Sequence, residues 1–278
     1  MQPGVLSRLA AGNHQDEMPV YAAPPKTVIC AKWGQKFPAE EVNRLYRMVR
    51  RSLSGALRFV CFTDDAKGFI DGIESWPLPP VPVVGRFDHH GWKKLGLLAN
   101  PIGNLSGPVL YLDLDVALIE PLDPFFDVPG EFLIIKDYRP LRYRHGWTGN
   151  SSVFRFEAGA HADVLTKIEQ LGERVMTDFR NEQETMSYFM REKNILDYWP
   201  RSWCASYKHR CVRPLPLGWF MDPRVPRGAK VLVFHGTPKP EEAVAGIGSK
   251  WYRHIRPAPW LRQYLDTDAG IPDGSKKS

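Results

Sequence analysis

The sequence holds no long apolar run. Nothing in it approaches the roughly 18 consecutive apolar residues that a membrane-crossing helix requires, so no transmembrane span is expected. The first residues, MQPGVLSRLAAGNHQDEMPVYAAPPK, lack a basic stretch followed by an apolar core. They do not read as a secretory signal. Cysteine is scarce: Cys30, Cys61, Cys204 and Cys211 are the four, and none forms a CxxC pair. Cys30 and Cys61 lie in apolar runs and read as small core residues, which fits a reduced, cytosolic setting. There is no internal repeat and no glycine-rich loop after the first apolar run. CAKWGQKFPAEE offers a single glycine, Gly34. That counts against a nucleotidyltransferase acting on a sugar phosphate, which would cradle phosphate in such a loop.

Charge of either sign is also in short excess. Thirty-seven Lys and Arg stand against 31 Asp and Glu, a formal net charge of +6. The basic residues are scattered and no nucleic-acid motif is present, so nucleic acid is not an expected partner. A modest positive balance suits an acidic ligand such as a diphosphate, or an anionic membrane surface with peripheral association.

What is present is a regular alternation. Apolar runs over 27–34, 57–65, 107–115, 130–138, 148–156 and 230–236 read as strands. Helical spacing appears over 38–53, 91–100, 161–172 and 181–194. The early runs are continuously apolar, as strands buried on both faces are. The expected fold is α/β, a three-layer α/β/α arrangement with a mostly parallel central mixed sheet. One domain is expected over 26–265, with a flexible leader over 1–25 and a tail over 266–278. The segment 199–228, rich in Trp, Pro and Arg, reads as an irregular cap over one end of the sheet. Trp147, Trp199, Trp203 and Trp219 are expected mostly in core or cap.

Polar residues gather where these strands end: Asp64 and Asp65, Asp113 and Asp115, Asn150, and His235. In open α/β sheets, ligands bind beyond the carboxyl ends of the strands. Parallel strands would bring these residues to one place. Two carboxylates at i and i+2 repel unless a cation or hydrogen-bond donors compensate. Oxygen ligands of this kind suit Mg²⁺ or Mn²⁺. The alternative is a turn or helix cap. On that alternative the chain is a non-catalytic nucleotide-binding module.

VLYLDLDVALIEPLDPFF (109–126) resembles the YLDxD block of family 8 glycosyltransferases and related nucleotide-sugar transferases of the GT-A fold. Four other blocks resemble that family in the same order: WKKLGLL, GNSSVFRF, NEQETMSYF and VFHGTPKP. Together they span roughly residues 90–240. The resemblance implies a metal-dependent transferase that moves a sugar from a nucleotide-sugar, with UDP the expected nucleotide, to a hydroxyl of a saccharide or glycolipid acceptor. It implies Asp113 and Asp115 as ligands of Mn²⁺ or Mg²⁺, with Asp113 also near the ribose and His235 as a third ligand. It places Lys239 on the diphosphate and Lys94 on the nucleotide-sugar. Asn150 and Ser151 would bind sugar hydroxyls, and Gln183 would sit near the anomeric carbon. Ala31, Trp33, Asp64 and Asp65 would frame the nucleoside. Retention of configuration is favoured; an inverting route would need a base, for which Asp137, Glu184 and Asp222 are candidates. Two positions depart from the pattern. His235 directly precedes Gly236 where the family has two intervening residues, and Glu182–Gln183–Glu184 stands for Asp-Gln-Asp. The expected setting is the cytoplasm, at the inner face of the membrane.

Overall fold

The computed structural model describes residues 24–82, 91–139, 143, 145–214, 216–248 and 255–265. Of the expected leader and tail, residues 1–23 and 266–278 lie outside the described residues. Ten strands are described: β1 (Lys26–Lys32), β2 (Leu57–Thr63), β3 (Ile73–Trp76), β4 (Pro108–Leu112), β5 (Val116–Leu118), β6 (Phe132–Lys136), β7 (Gly149–Glu157), β8 (Leu196–Tyr198), β9 (Cys204–Ser206) and β10 (Val231–Val233). The α-helices are α1 (Ala39–Ser52), α2 (Pro124–Asp127), α3 (Ala162–Leu171), α4 (Val175–Asp178), α5 (Glu182–Glu192), α6 (Pro240–Ala245) and α7 (Arg262–Leu265). A 3-10 helix spans Trp92–Leu98.

Seven strands form the main sheet in the order β3-β2-β1-β4-β7-β6-β8. All its neighbours pair in parallel except at β7, which runs antiparallel to both β4 and β6. A second sheet, β5-β10-β9, lies beside it. The two-residue period of a strand sends alternate side chains to opposite faces. On β1, Val28 and Cys30 join one core while Ile29 and Ala31 join the other. On β4, Leu110 and Leu112 face the first core, Val109 and Tyr111 the second. The first core takes Val42, Leu45, Met48 and Val49 of α1 and the inner face of the small sheet. The second takes Val164 and Ile168 of α3, Met186, Phe189 and Met190 of α5, and Leu95, Leu97 and Leu98. This is a three-layer α/β/α fold, and all four cysteines are free and buried within it.

α1 follows its sequence closely. Pro38 precedes it, Glu40 and Glu41 lie in its first turn, and Arg50 and Arg51 in its last. That order of charges complements the helix dipole. The direction of β7 differs from a uniformly parallel sheet, and the difference moves a residue. Asn150 lies at the start of β7, and the antiparallel run brings that start to the sheet edge where β4 ends. A bulge follows at once. Ile134 pairs with Phe154 but Ile135 with Asn150, so Ser151, Ser152 and Val153 fall outside the β6 ladder. Bulges re-aim side chains, commonly beside binding sites.

Candidate active site

β4 is the axis of the site. Tyr111 and Asp113 share a face by strand periodicity, and the Tyr111 hydroxyl donates to Asp113 Oδ1 at 2.9 Å. The Asp113 backbone N–H still pairs with Ser152 O at 2.9 Å, which fixes where the strand opens. Asp113 and Asp115 then enter a cleft of about 630 Å³ lined also by Ala31, Trp33, Lys36, Phe37 and Glu182.

Two lysines meet the two carboxylates. Lys94 Nζ lies 2.6 Å from Asp113 Oδ1, and Lys239 Nζ lies 2.6 Å from Asp115 Oδ2. Lys94 comes from the 3-10 helix and is buried, with Ser151 O and Oγ at 3.4 Å. Burial pulls its pKa down, but attraction to Asp113, Glu182 and Asp115 outweighs this and holds the ammonium above its ordinary value. Burial raises the Asp115 pKa and Asp113 adds repulsion, against the opposing pull of Lys239 and Lys94. Burial likewise raises Glu182, opposed by Lys94 and by the hydrogen bond from Ser151 Oγ at 3.0 Å. The site is thus an alternating cluster of buried and half-buried charges, in which the lysines oppose but do not cancel the effect of burial on Asp115 and Glu182.

Gly91 makes room for it. It precedes the 3-10 helix with φ 95°, and a Cβ there would sit 3.1 Å from the Glu182 carboxylate. Gly91→Ala is expected to cost about 1–2 kcal/mol in denaturant unfolding, since left-handed backbone disfavours a Cβ even without the crowding. An unchanged midpoint would remove Gly91 from the account.

α5 supplies the next wall. Asn181 caps it, its side chain accepting from Glu184 N at 3.1 Å, so the first helical turn points at the cleft. Gln183 is buried. Its Oε1 accepts from Ser151 N at 3.3 Å and its Nε2 donates to Asp137 Oδ2 at 3.3 Å and to the Tyr143 hydroxyl. Asp137 also accepts from Arg139 N at 2.7 Å. Asp137, Asn150, Gln183 and His235 line a smaller cavity of about 130 Å³.

Solved structures can now be set beside this geometry. Galactosyltransferase LgtC, solved with donor and acceptor sugar analogs, matches with TM-score 0.58 at 14% identity, over 89% of this chain and 98% of that one. The fold is GT-A. Glycosyltransferase GlyE from Streptococcus pneumoniae TIGR4 matches with TM-score 0.54 at 12% identity, over 77% of this chain. The bifunctional glycosyltransferase WbbM matches with TM-score 0.54 at 11% identity, over 80% of this chain. The chain spans about half of these two longer proteins, 56% of GlyE and 48% of WbbM. No family model and no curated protein sequence matches it.

Within this GT-A frame the expected residues divide. Ala31, Trp33, Lys94, Asp113 and Asp115 line the large cleft, and Lys239 reaches it through Asp115. Asn150 and Gln183 line the smaller cavity, and Ser151 touches Lys94, Glu182 and Gln183 from beneath.

Five others are placed elsewhere. His235 does not converge on the aspartate pair. Its Nε2 lies 3.1 Å from Ser206 Oγ, and its ring stacks on Tyr138. Among the described residues, no group of three His, Cys, Asp or Glu could hold a metal. The reason is local. Phe234 N bonds Asp115 O at 3.0 Å, which puts Phe234 alongside the pair and turns the next residue away. Asp64 accepts from Gly34 N at 2.9 Å and fastens the loop carrying Trp33. Asp65 caps its own turn, accepting from Lys67 N at 2.9 Å. The Glu184 carboxylate accepts from Arg180 N at 2.8 Å and faces a different cleft with Tyr188. Asp222 pairs with Arg256 at 2.6 Å.

Three contributors carry no assigned role in the sequence pattern. Tyr111 reads only as an apolar strand residue, although its place two residues before Asp113 puts it on the same strand face. Glu182 is the first residue of α5, and a capping Asn181 marks that turn. Tyr143 lies in a basic loop with no periodic signal.

Proposed function

We propose that the chain is a metal-dependent glycosyltransferase that moves a sugar from a nucleotide-sugar, a UDP-sugar, to an acceptor hydroxyl with retention of configuration. The carrying observation is the pair Asp113 and Asp115 entering one cleft with Lys94 and Lys239 on their flanks. Two carboxylates with space beside them suit Mn²⁺ or Mg²⁺, which keep positions open for substrate phosphates. Asp113 and Asp115 would hold the ion, without His235. When bound, it supplies Lewis-acid stabilisation of the charge on the departing diphosphate.

The remaining roles fall to side chains. Lys239, partly exposed, paired with Asp115 and lying over the Phe37 ring, exchanges its carboxylate partner for a phosphate oxygen. Lys94 is too deeply buried to leave. It holds Asp113 in place and presents its positive charge to the donor. Gln183 is locked by three hydrogen bonds, so its amide meets the sugar in one orientation. Pre-set dipoles of this kind stabilise developing charge without reorganising. Trp33 and Ala31 receive the nucleoside end. Asp137 and Asn150 contact sugar hydroxyls in the smaller cavity. The acceptor is a saccharide or glycolipid, and the setting is the cytoplasm at the inner membrane face; no helix among the described residues is long and apolar enough to cross a membrane.

Titration calorimetry with UDP tests this reading. Binding is expected with Mn²⁺ and to weaken at least tenfold, about 1.4 kcal/mol, when the ion is chelated. Absence of binding by any nucleoside diphosphate, with or without metal, would overturn it.

A further inference from the structure

Residues 200–230 hold seven Lys and Arg and one acidic residue, Asp222, a net charge of +6. That equals the formal net charge of the whole chain, so the rest of the sequence balances to zero. Arg201, Arg210, Arg213, Arg224 and Arg227 are exposed. The single acid is paired with Arg256.

The same stretch carries the apolar exposure. Four large hydrophobic side chains among the described residues are exposed, and three are here: Leu217 at 51%, Trp219 at 50% and Phe220 at 76%. They stand on and just after a single 3-10 turn, Leu217–Trp219, whose Gly218 is buried against the body. The turn is held from behind. Trp260 Nε1 donates to Pro223 O at 2.9 Å, and Arg224 N to Cys211 O at 3.1 Å. Little ordering is left to be done when this wedge meets a partner.

We propose that this face docks the protein on an anionic lipid bilayer. Exposed large apolar side chains in a stretch bearing one sign of charge mark an interaction surface. Trp settles at the headgroup level, Phe and Leu pass into the acyl boundary, and the arginines meet acidic headgroups. An acidic protein or nucleic acid would engage the arginines but gives no reason for Phe220 to stand three-quarters exposed. The face also adjoins the site. Ser206 lies 3.1 Å from His235, and the His209 ring stacks on the His235 ring at 5.7 Å. If sugar transfer holds, which this one consequence requires, docking sets the smaller cavity beside the membrane and selects acceptors carried on lipid.

Vesicle flotation of the full chain tests the docking without any catalytic readout. The protein is expected to float with mixed phosphatidylcholine–phosphatidylglycerol vesicles and not with phosphatidylcholine alone. The double variant Trp219→Ser, Phe220→Ser keeps every charge and should bind roughly tenfold or more weakly, at an unchanged thermal midpoint. Arg213→Glu with Arg224→Glu should also abolish flotation. Failure to float on mixed vesicles at low salt overturns the proposal. So does equal binding by the double serine variant, which would mean charge adhesion alone, or preference for an acidic peptide or duplex DNA over the vesicles. A chain that floats but never binds a nucleotide would leave the docking standing and remove the transferase reading.

Discussion

Asp115→Ala is expected to cut donor turnover by about 10³-fold or more, near 4 kcal/mol of barrier, while leaving the fold in place. The two halves of that expectation have separate causes. Asp115 shares the cleft with two other carboxylates, Asp113 and Glu182, but Glu182 is engaged by Ser151 and Lys94 and does not replace it. Its loss is nonetheless cheap for folding. Burial and Asp113 already press its pKa upward, so removing it relieves repulsion. The lysine left behind, Lys239, is 31% exposed and hydrates readily. A half-exposed pair of this kind is worth no more than about 1 kcal/mol. Initial rates of sugar-nucleotide hydrolysis, with thermal unfolding alongside, check both. Near-full activity in this variant would end the metal role for the pair, and Asp115→Asn, which keeps shape and loses charge, should fall almost as far.

Lys94→Met reverses the balance, with a large loss of stability. Lys94 is the buried cation shared by Asp113 at 2.6 Å and, through its field, Glu182. Methionine fills the space and leaves the half-buried Asp113 and the buried Glu182 without their counter-charge. Breaking a buried pair from one side costs roughly 3–5 kcal/mol. The deficit should depend on pH. Burial already raises the folded Glu182 pKa above its ordinary value, and without Lys94 it rises further. A carboxylate raised in the folded state penalises stability little below its unfolded pKa, and more as pH climbs through the folded one. Urea unfolding at pH 5 should therefore show a smaller gap from the native chain than at pH 8. A gap independent of pH would mean that lost packing, not stranded charge, sets the cost.

Much of the frame could be read along the chain. The runs at 27–34, 57–65 and 107–115 became β1, β2 and β4 because continuous apolar stretches are buried whatever surrounds them. The spacing over 38–53 became α1 for the same reason. Four strands had no such signal: β3, β5, β8 and β9 hold three or four residues each. Strands that short are made by the neighbours they pair with, not by their own periodicity. Within 199–228, β9 and the segment's short helical turns replace a wholly irregular cap. There Trp199 is buried, but Trp219 stands at the surface. An aromatic residue looks the same in a sequence whether its partner is the core or lies outside the molecule.

The sequence by itself determined the α/β layering and the carboxylate pair at the end of one strand, since each depends on local pattern; the two lysines came from the family resemblance. Tertiary structure decided the rest. Antiparallel β7 carried Asn150 to the site from the start of its strand, not the end. A bulge placed Ser151 under Lys94. One backbone hydrogen bond, Phe234 to Asp115, set Phe234 beside the pair and His235 away from it. Strand direction, bulges and the side a residue takes after a strand ends all depend on long-range pairing. The free energy of that pairing belongs to the assembled sheet, and no window of sequence contains it.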